Sequence, residues 1–402
     1  MTKRVGVALV GTGNIALLHT LGYNNFEGAE IRALCDLNAK RAQQFKEEAS
    51  LPAKVKIYND PTACFADEDI ELVEILTPHA THEPLAVEAA EAGKHISVQK
   101  PPAMTLSSYD KMIHAAEKAG VRFRVYENFR YHPPYVKAAE LIQRGTIGEV
   151  LSVNIRMWMV INAIGEYRGH KKRFPLHTLK WKIREKHNYH APTLFDDGYH
   201  KHSLVEGYLG DLDGNSVNAV KVWCGWEKLF GLVKLDSPVI VIYETKKRNK
   251  YGTWNVNTAK DIPMHSSYFA CDESLEITGS NGIIMAPGCT GNLFKGCECG
   301  GPGKPGTYWF TQDKEISEEN APPEIGSWKS DCSMETDWSQ SFIDCTQHYA
   351  TMIAEDRWFH EDDFRPLDGS RGRKVSQITL AIIRSLKEDG KTVKIKDVEN
   401  AP

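Results

Sequence analysis

Val5-Gly6-Val7-Ala8-Leu9-Val10 runs directly into Gly11-Thr12-Gly13-Asn14-Ile15-Ala16, and the rest of the chain is read outward from this stretch. Six apolar residues without polar alternation have the length of a strand buried on both faces. The glycine pattern that follows reads as a turn opening a helix. Gly11 permits the tight turn, Gly13 lets main chain come close to a pyrophosphate, and free amides at the helix start face its charge. Ala16 is small enough for close helix–strand packing, with Asn14 and Ile15 between. Asp36 ends the next strand, 25 residues after Gly11. A carboxylate there accepts hydrogen bonds from a ribose and repels a 2′-phosphate, which favours NAD over NADP. Lys40 and Arg41, one turn further on, temper that preference.

Strand-length runs at 30–37, 71–78, 94–99 and 121–127 alternate with helical patterns at 83–92 and 107–120. Short strands alternating with helices predict a parallel sheet covered on both faces. After Asn128 the pattern changes. A helix at 134–145 and a long strand at 147–160 lead into strand-like runs at 217–226, 229–235, 238–244, 265–270, 273–279 and 282–286. Their spacing leaves no room for crossover helices, so antiparallel pairing is expected. Helical patterns at 338–356 and 370–387 close the chain. The expected fold is α/β: an N-terminal Rossmann domain over 1–128, then a C-terminal α+β domain over 129–402 with a large, open, mainly antiparallel sheet.

The 402 residues are 41% hydrophobic and 25% charged, which is globular composition and excludes a disordered or fibrous chain. With 49 basic and 53 acidic residues the net charge is −4, so no overall field favours a phosphate polymer or an anionic membrane. No apolar run reaches the ~18–20 residues of a membrane span. Met-Thr-Lys-Arg followed at once by a strand leaves no room for a signal peptide. Nine scattered cysteines fit reduced thiols better than a disulfide scaffold. The expectation is a cytoplasmic protein with no nucleic-acid or membrane partner.

Four motifs resemble the glucose–fructose oxidoreductase, inositol dehydrogenase and MocA (Gfo/Idh/MocA) family. They are the glycine turn, Thr77-Pro78-His79-Ala80-Thr81-His82, Gln99-Lys100-Pro101 and Asp196-Asp197-Gly198-Tyr199-His200. Asn128, Arg130 and Ile147-Gly148-Glu149 fall at fitting positions. Gln99 departs from the family's Glu, and His79 from its Asn. The resemblance implies a second domain that commonly mediates homo-oligomerisation. It also implies cofactor contacts from Gly11, Gly13, Asn14, Ile15, Asp36, Thr77, Pro78, His82, Gln99 and Asn128, and a cis bond before Pro101.

Lys100 follows a predicted strand at the sheet edge that faces a ligand crevice. A lysine there stabilises alkoxide-like charge on an oxygen being oxidised. Gln99 removes an ion-pairing partner that Glu would supply, which favours loss of the Lys100 proton relative to Glu. Asp196 and His200 are four apart and share a face if the segment is helical. The carboxylate then orients an imidazole that takes a hydroxyl proton. Gly198 inside that helix costs ~1 kcal/mol, which a close approach by cofactor or substrate would rationalise. Tyr126, Trp158, Trp181 and Tyr189 are candidates for stacking on a sugar ring, with Arg130 and Arg156 as polar contacts.

Weaker signals surround these. Residues 161–190 hold eight Lys/Arg against two Glu, a lid or anion clamp on one reading and a solvated or subunit-facing loop on the other. Residues 287–306 contain seven glycines and read as a loop. Cys297-Glu298-Cys299, with Cys289 nearby, lacks the paired CxxC spacing of a zinc site. His187, His190, Asp197 and His202 are close enough in sequence to raise a metal, but polar loops of this kind are commoner, and no metal is expected.

The function expected is NAD-dependent oxidation of a secondary ring hydroxyl, in an inositol or at C3 of a glucose unit in a glycoside, carbon-linked glucosides included. One alternative is an NAD-dependent glycosidase acting by transient oxidation and elimination. Another is a non-catalytic dinucleotide-binding regulator, against which Lys100, Asp196 and His200 argue.

Overall fold

The computed structural model describes residues 4–160, 166–167, 170–171, 188–229, 233–259, 271–286, 306–311, 328–334, 338–360 and 362–399. The chain forms two compact units. The first comprises Met1–Tyr131, Ser339–Gln377 and Glu399–Ala401, the second His132–Trp338 and Ile378–Val398 with Pro402. The linear division expected at residue 128 differs from this at its far end, where the chain returns to the first unit after residue 338. The return is anchored by side chains. Tyr349 lies fully buried in the core made by Val7, Leu9, Ala16 and Leu72, and its hydroxyl donates to the Ile96 carbonyl at 2.9 Å.

The first unit is built on β1 (Val5–Val10), β2 (Ala29–Cys35), β3 (Lys56–Tyr58), β4 (Leu72–Ile75), β5 (His95–Gln99) and β6 (Phe123–Tyr126). Their spatial order is β6-β5-β4-β1-β2-β3, all parallel, with Leu367–Asp368 added antiparallel on β6. Every residue of β1 and β4 is buried, as helices on both faces require. Local signals start and stop the helices. The Asn38 side chain accepts the Arg41 amide at the head of Ala39–Glu48. Thr105 caps Leu106–Ala119, which ends at Gly120 in the left-handed region.

The second unit carries a nine-stranded sheet. Its order is Trp328–Asp331, Thr307–Thr311, Gly282–Ala286, Cys271–Gly279, Val150–Val160, Tyr251–Ala259, Val239–Thr245, Val217–Cys224 and Val393–Lys394. Pairing is antiparallel except between Val150–Val160 and Tyr251–Ala259, which run parallel. Tyr251–Ala259 was not among the expected strands. It alternates, with Gly252, Trp254 and Val256 buried and Tyr251 and Asn257 exposed, but one of its three inward positions is a glycine and weakens the pattern. The expected run at 265–270 lies outside the described residues, as do Cys289, Cys297 and Cys299. Only short pieces of 161–190 fall within them. No helix among the described residues is long and apolar enough to cross a membrane.

Candidate cofactor and catalytic sites

The strand order of the first sheet reverses between β1 and β4, and ligands of doubly wound sheets bind outside the carboxyl ends of such a pair. Here the two strand ends nearly touch. Gly11 has φ +96°, and a Cβ on it would lie 3.0 Å from the Leu76 carbonyl carbon and oxygen, so both backbone and space demand glycine. Gly13 differs. Its φ of −75° suits any residue, and a Cβ there would meet nothing nearer than Arg41 Nη2 at 3.7 Å. The room above Gly13 fits a phosphate group, beside exposed Asn14 at the helix start and half-buried Ile15, which packs on the core.

Asp36 is fixed before any ligand arrives. Its Oδ2 accepts from the Thr12 amide at 3.0 Å and the Thr12 hydroxyl at 2.7 Å, and its Oδ1 from the Asn38 amide at 3.0 Å. Partial burial opposes the charge, but these donors outweigh it and hold the carboxyl below its ordinary range. Arg41 Nε donates to the Thr12 carbonyl at 3.2 Å, so the turn carries an anchored carboxylate and an adjacent guanidinium.

The loops after β4 and β5 are joined by His82. The fully buried imidazole lies between the Thr77 carbonyl (Nε2, 2.8 Å) and the Pro102 carbonyl (Nδ1, 3.0 Å). Burial pushes it down to about 3, and the neutral ring carries one N–H, which donates to one of the two carbonyls. His82 thus packs between the loop bearing Thr77 and exposed Pro78 and the loop bearing Lys100. The Lys100–Pro101 bond is cis. Lys100 is half-buried, and its amide donates to Gln99 Oε1 at 2.7 Å.

Tyr126, Asn128 and Arg130 lie in the interior of the first unit. The Tyr126 hydroxyl donates to the Phe342 carbonyl at 3.0 Å, and Asn128 Nδ2 donates to Ser341 Oγ at 2.8 Å. Arg130 is fully buried, donates to the Phe364 carbonyl at 2.8 Å and lies over that ring.

In the second unit Asp196 and His200 sit in one unbroken helical stretch. It runs as a π-turn over Thr193–Asp197, an α-helix over Gly198–Glu206 and a second π-turn over Gly207–Asp211. Such π segments widen a helix locally and recur at functional sites. The stretch is deeply enclosed, yet Asp196 keeps 8% and His200 9% of its surface, against 2% for Lys201. Its start is pinned by buried Asp236, whose carboxylate accepts the amides of Thr193 (3.0 Å) and Leu194 (2.6 Å). Burial pushes that carboxyl up to about 7 against the pull of both amides.

Gly198 is explained otherwise than expected. A Cβ there would lie 2.8 Å from His202 Nε2 and 2.9 Å from Trp254, so the close approach belongs to the protein's own core. Gly252 repeats the device from the strand side, where a Cβ would meet Val205 at 2.5 Å. His202 is structural. Its Nε2 donates to the Leu194 carbonyl at 2.9 Å and its Nδ1 accepts from the Tyr243 hydroxyl at 2.7 Å. Burial holds it down at about 3.

Arg156 and Trp158 project from the outer face of Val150–Val160, opposite buried Ile155 and Met157. Tyr189 has φ +57° and packs edge-on to Phe195 at 5.2 Å. Trp181 and His187 lie outside the described residues. Among the described residues no group of three His, Cys, Asp or Glu is arranged to hold a metal.

Two buried clusters escaped the sequence reading. Lys201 pairs with Glu273, which also accepts the Tyr135 hydroxyl at 3.0 Å. His19 pairs with Glu74 on β4 at 2.6 Å. A lysine one residue beyond His200, and a histidine three beyond Ala16 on the glycine-turn helix, were the available signals.

Residues 5–127 match the family model described as "Oxidoreductase family, NAD-binding Rossmann fold" (GFO_IDH_MocA). The chain is 32% identical over 285 residues to an inositol 2-dehydrogenase of Salmonella typhimurium, covering 70% of this chain and 72% of that one. It is 36% identical over 156 residues to an alpha-N-acetylgalactosaminidase of Bacteroides fragilis, covering 37% and 36%. Several curated relatives are matched over only 36–42% of their own length. The fold is that of levoglucosan dehydrogenase, solved with NADH and levoglucosan, at a TM-score of 0.73, 18% identity and coverage of 98% and 100%.

Proposed function

The chain belongs to the Gfo/Idh/MocA oxidoreductase family, and on that premise we propose that it is an NAD-dependent dehydrogenase acting on a secondary hydroxyl of a polyhydroxylated ring. The observation that carries this reading is the helical stretch that sets Asp196 and His200 four residues apart, together with the anchored Asp36 and the open room above Gly13. A bound nicotinamide supplies the hydride acceptor.

The chain's own residues do the rest. Gly13, Asn14 and Ile15 seat the pyrophosphate, and Asp36 accepts the adenosine ribose and disfavours a 2′-phosphate. The Thr77–Pro78 loop and Gln99, with His82 packed between the two loops, support the other end. His200 takes the hydroxyl proton, Asp196 orients its imidazole, and Lys100 stabilises negative charge on the oxygen. Arg156, Trp158, Trp181 and Tyr189 are the proposed substrate contacts. Tyr126, Asn128 and Arg130 serve as packing and positioning groups in this reading.

The finer proposal is oxidation at C3 of a glucoside. A C3 ketone acidifies the C2 proton, which permits loss of an aglycone, even a carbon-linked one. The exposed face of the large sheet, with Trp223 at 57% and Trp328 at 54%, is the proposed contact between copies.

The test is reduction of NAD by the purified protein across inositols, glucose and O- and C-glucosides. Substrate-dependent NADH is expected; none across the panel sinks the proposal. The similarity to an alpha-N-acetylgalactosaminidase favours one second reading, glycoside cleavage with cofactor recycled in place. It predicts free sugar without net NADH in the same assay.

A further inference from the structure

We propose that His19 is a positioning residue whose protonation pattern is matched to the amide at position 99. It fixes which way the Gln99 carboxamide faces and thereby holds the main chain of Lys100. The geometry is a chain of hydrogen bonds within the first unit whose two ends have obligatory roles. At one end Glu74, fully buried, accepts His19 Nδ1 at 2.6 Å and the Tyr23 hydroxyl at 2.9 Å, with Arg124 at 3.6 Å. Burial opposes the charge on Glu74, but His19, Arg124 and Tyr23 outweigh it and hold it below the ordinary carboxyl range. A carboxylate only accepts, so His19 Nδ1 carries a proton.

At the other end the Lys100 amide only donates, and it reaches Gln99 Oε1 at 2.7 Å. That turns Gln99 Nε2 toward His19 Nε2, 3.0 Å away. An amide nitrogen only donates, so His19 Nε2 offers its lone pair and carries no proton. The whole sequence Lys100 N–H, Gln99, His19, Glu74 therefore runs in one direction. The ring has no freedom to turn, since it lies 3.9 Å from Tyr126 and edge-on to Phe342. The charged and titratable groups around it are Glu74 on β4, Arg124 and Tyr126 on β6, Tyr23 after the first helix, Lys100 after β5 and Cys345, whose carbonyl accepts from Arg124 at 2.7 Å.

An ionised glutamate at position 99 cannot complete this pattern. Its oxygens would accept from both the Lys100 amide and His19, so the imidazole would need a second proton and would lie between two carboxylates. With Gln99 the same bonds form with a singly protonated ring. The loop bearing Lys100 thereby needs no second imidazole proton to be held. The inference rests on the reading above that this loop supports the cofactor.

The test uses the full-length protein labelled with ¹⁵N-histidine, with NADH binding followed by fluorescence on both sides of neutrality. In the unaltered protein at and above neutrality His19 should show a protonated Nδ1 and a bare Nε2, and NADH affinity should not fall as pH rises. Q99E should place a proton on Nε2. It should also weaken NADH binding about tenfold as pH rises and that proton leaves. His19→Phe with Q99E should abolish the pH dependence; if that variant does not fold, the imidazole signals of Q99E decide alone. A protonated Nε2 in the unaltered protein at and above neutrality, or a Q99E variant whose affinity does not fall as pH rises, overturns the relay. Failure of the unaltered protein to bind NADH overturns the cofactor reading itself, and the relay with it.

Discussion

The strand ends of the first unit and the helix Gly198–Glu206 of the second solve opposite problems with the same residue. At the strand ends Gly13 leaves open space, and Gly11 lets the turn after β1 fold tightly against Leu76. In the helix, Gly198 makes room for the protein itself, admitting Trp254 and His202. The first region presents main-chain amides and an anchored carboxylate on loops. The second presents side chains on an enclosed helix pinned at its start by Asp236. A binding cradle tolerates space, whereas groups that must meet a reacting atom within a few tenths of an ångström need the rigidity of a packed element.

The largest effect that separates the two regions is on turnover. His200→Asn should lower it by about 10²- to 10⁴-fold while NADH affinity stays within twofold, and Gly13→Val should do the reverse. Steady-state kinetics with NADH titration read both. If His200→Asn loses cofactor affinity as well, the division of labour is wrong.

Acid should act next, and on both units at once. His82, His132 and His202 are fully buried, and burial holds each down at about 3, from an ordinary 6.5. Their folded pKa values lie below the unfolded ones. The stability they lend is therefore complete above about 6.5 and declines as pH falls toward 3, by about 1.4 kcal/mol per pH unit for each. Denaturant midpoints should drop steeply between pH 6.5 and 4. His202→Gln should flatten that slope by about 1.4 kcal/mol per pH unit. A slope left unchanged would mean that His202 is not held neutral.

Gly198→Ala sharpens the contrast between the glycines. A Cβ 2.9 Å from Trp254 overpacks the core by about 1–3 kcal/mol, whereas Gly13→Ala should leave the melting temperature unchanged and weaken NADH binding. Equal melting temperatures for the two variants would dissolve the distinction. Smallest is Asp236→Asn, which exchanges one accepted amide bond for relief from burying an ionisable carboxyl, a net change of about 1 kcal/mol near pH 5. Because burial raises this carboxyl to about 7 from 3.8, its contribution is complete below about 3.8 and lost as pH rises through 7. The variant should gain on the original protein over that interval, and thermal melts at several pH values would show it.

How much was legible follows from where each cause lies. Gly11, Asp36 and Lys100 could be read because the turn, the strand end and the loop impose their demands within a few residues of chain. The Asp196–His200 spacing could be read because it needs only a helix. Tyr251–Ala259 could not, since its glycine is set by Val205 on a separate element. Nor could the buried places of Tyr126 and Arg130. Their partners Phe342 and Phe364 come from a segment more than 200 residues away, and the pattern of the first 130 residues carries no trace of it.

By itself, then, the amino-acid order determined the parallel sheet and the dinucleotide turn and singled out Asp196 and His200 as candidates four residues apart, because periodicity and short-range backbone preferences suffice for these. Tertiary structure alone decided that Gly198 serves Trp254, that His202 is held neutral by burial between Leu194 and Tyr243, and that Gln99 answers to His19. Each of these depends on which atoms face one another across separate elements, and such a meeting leaves no periodic mark on the chain.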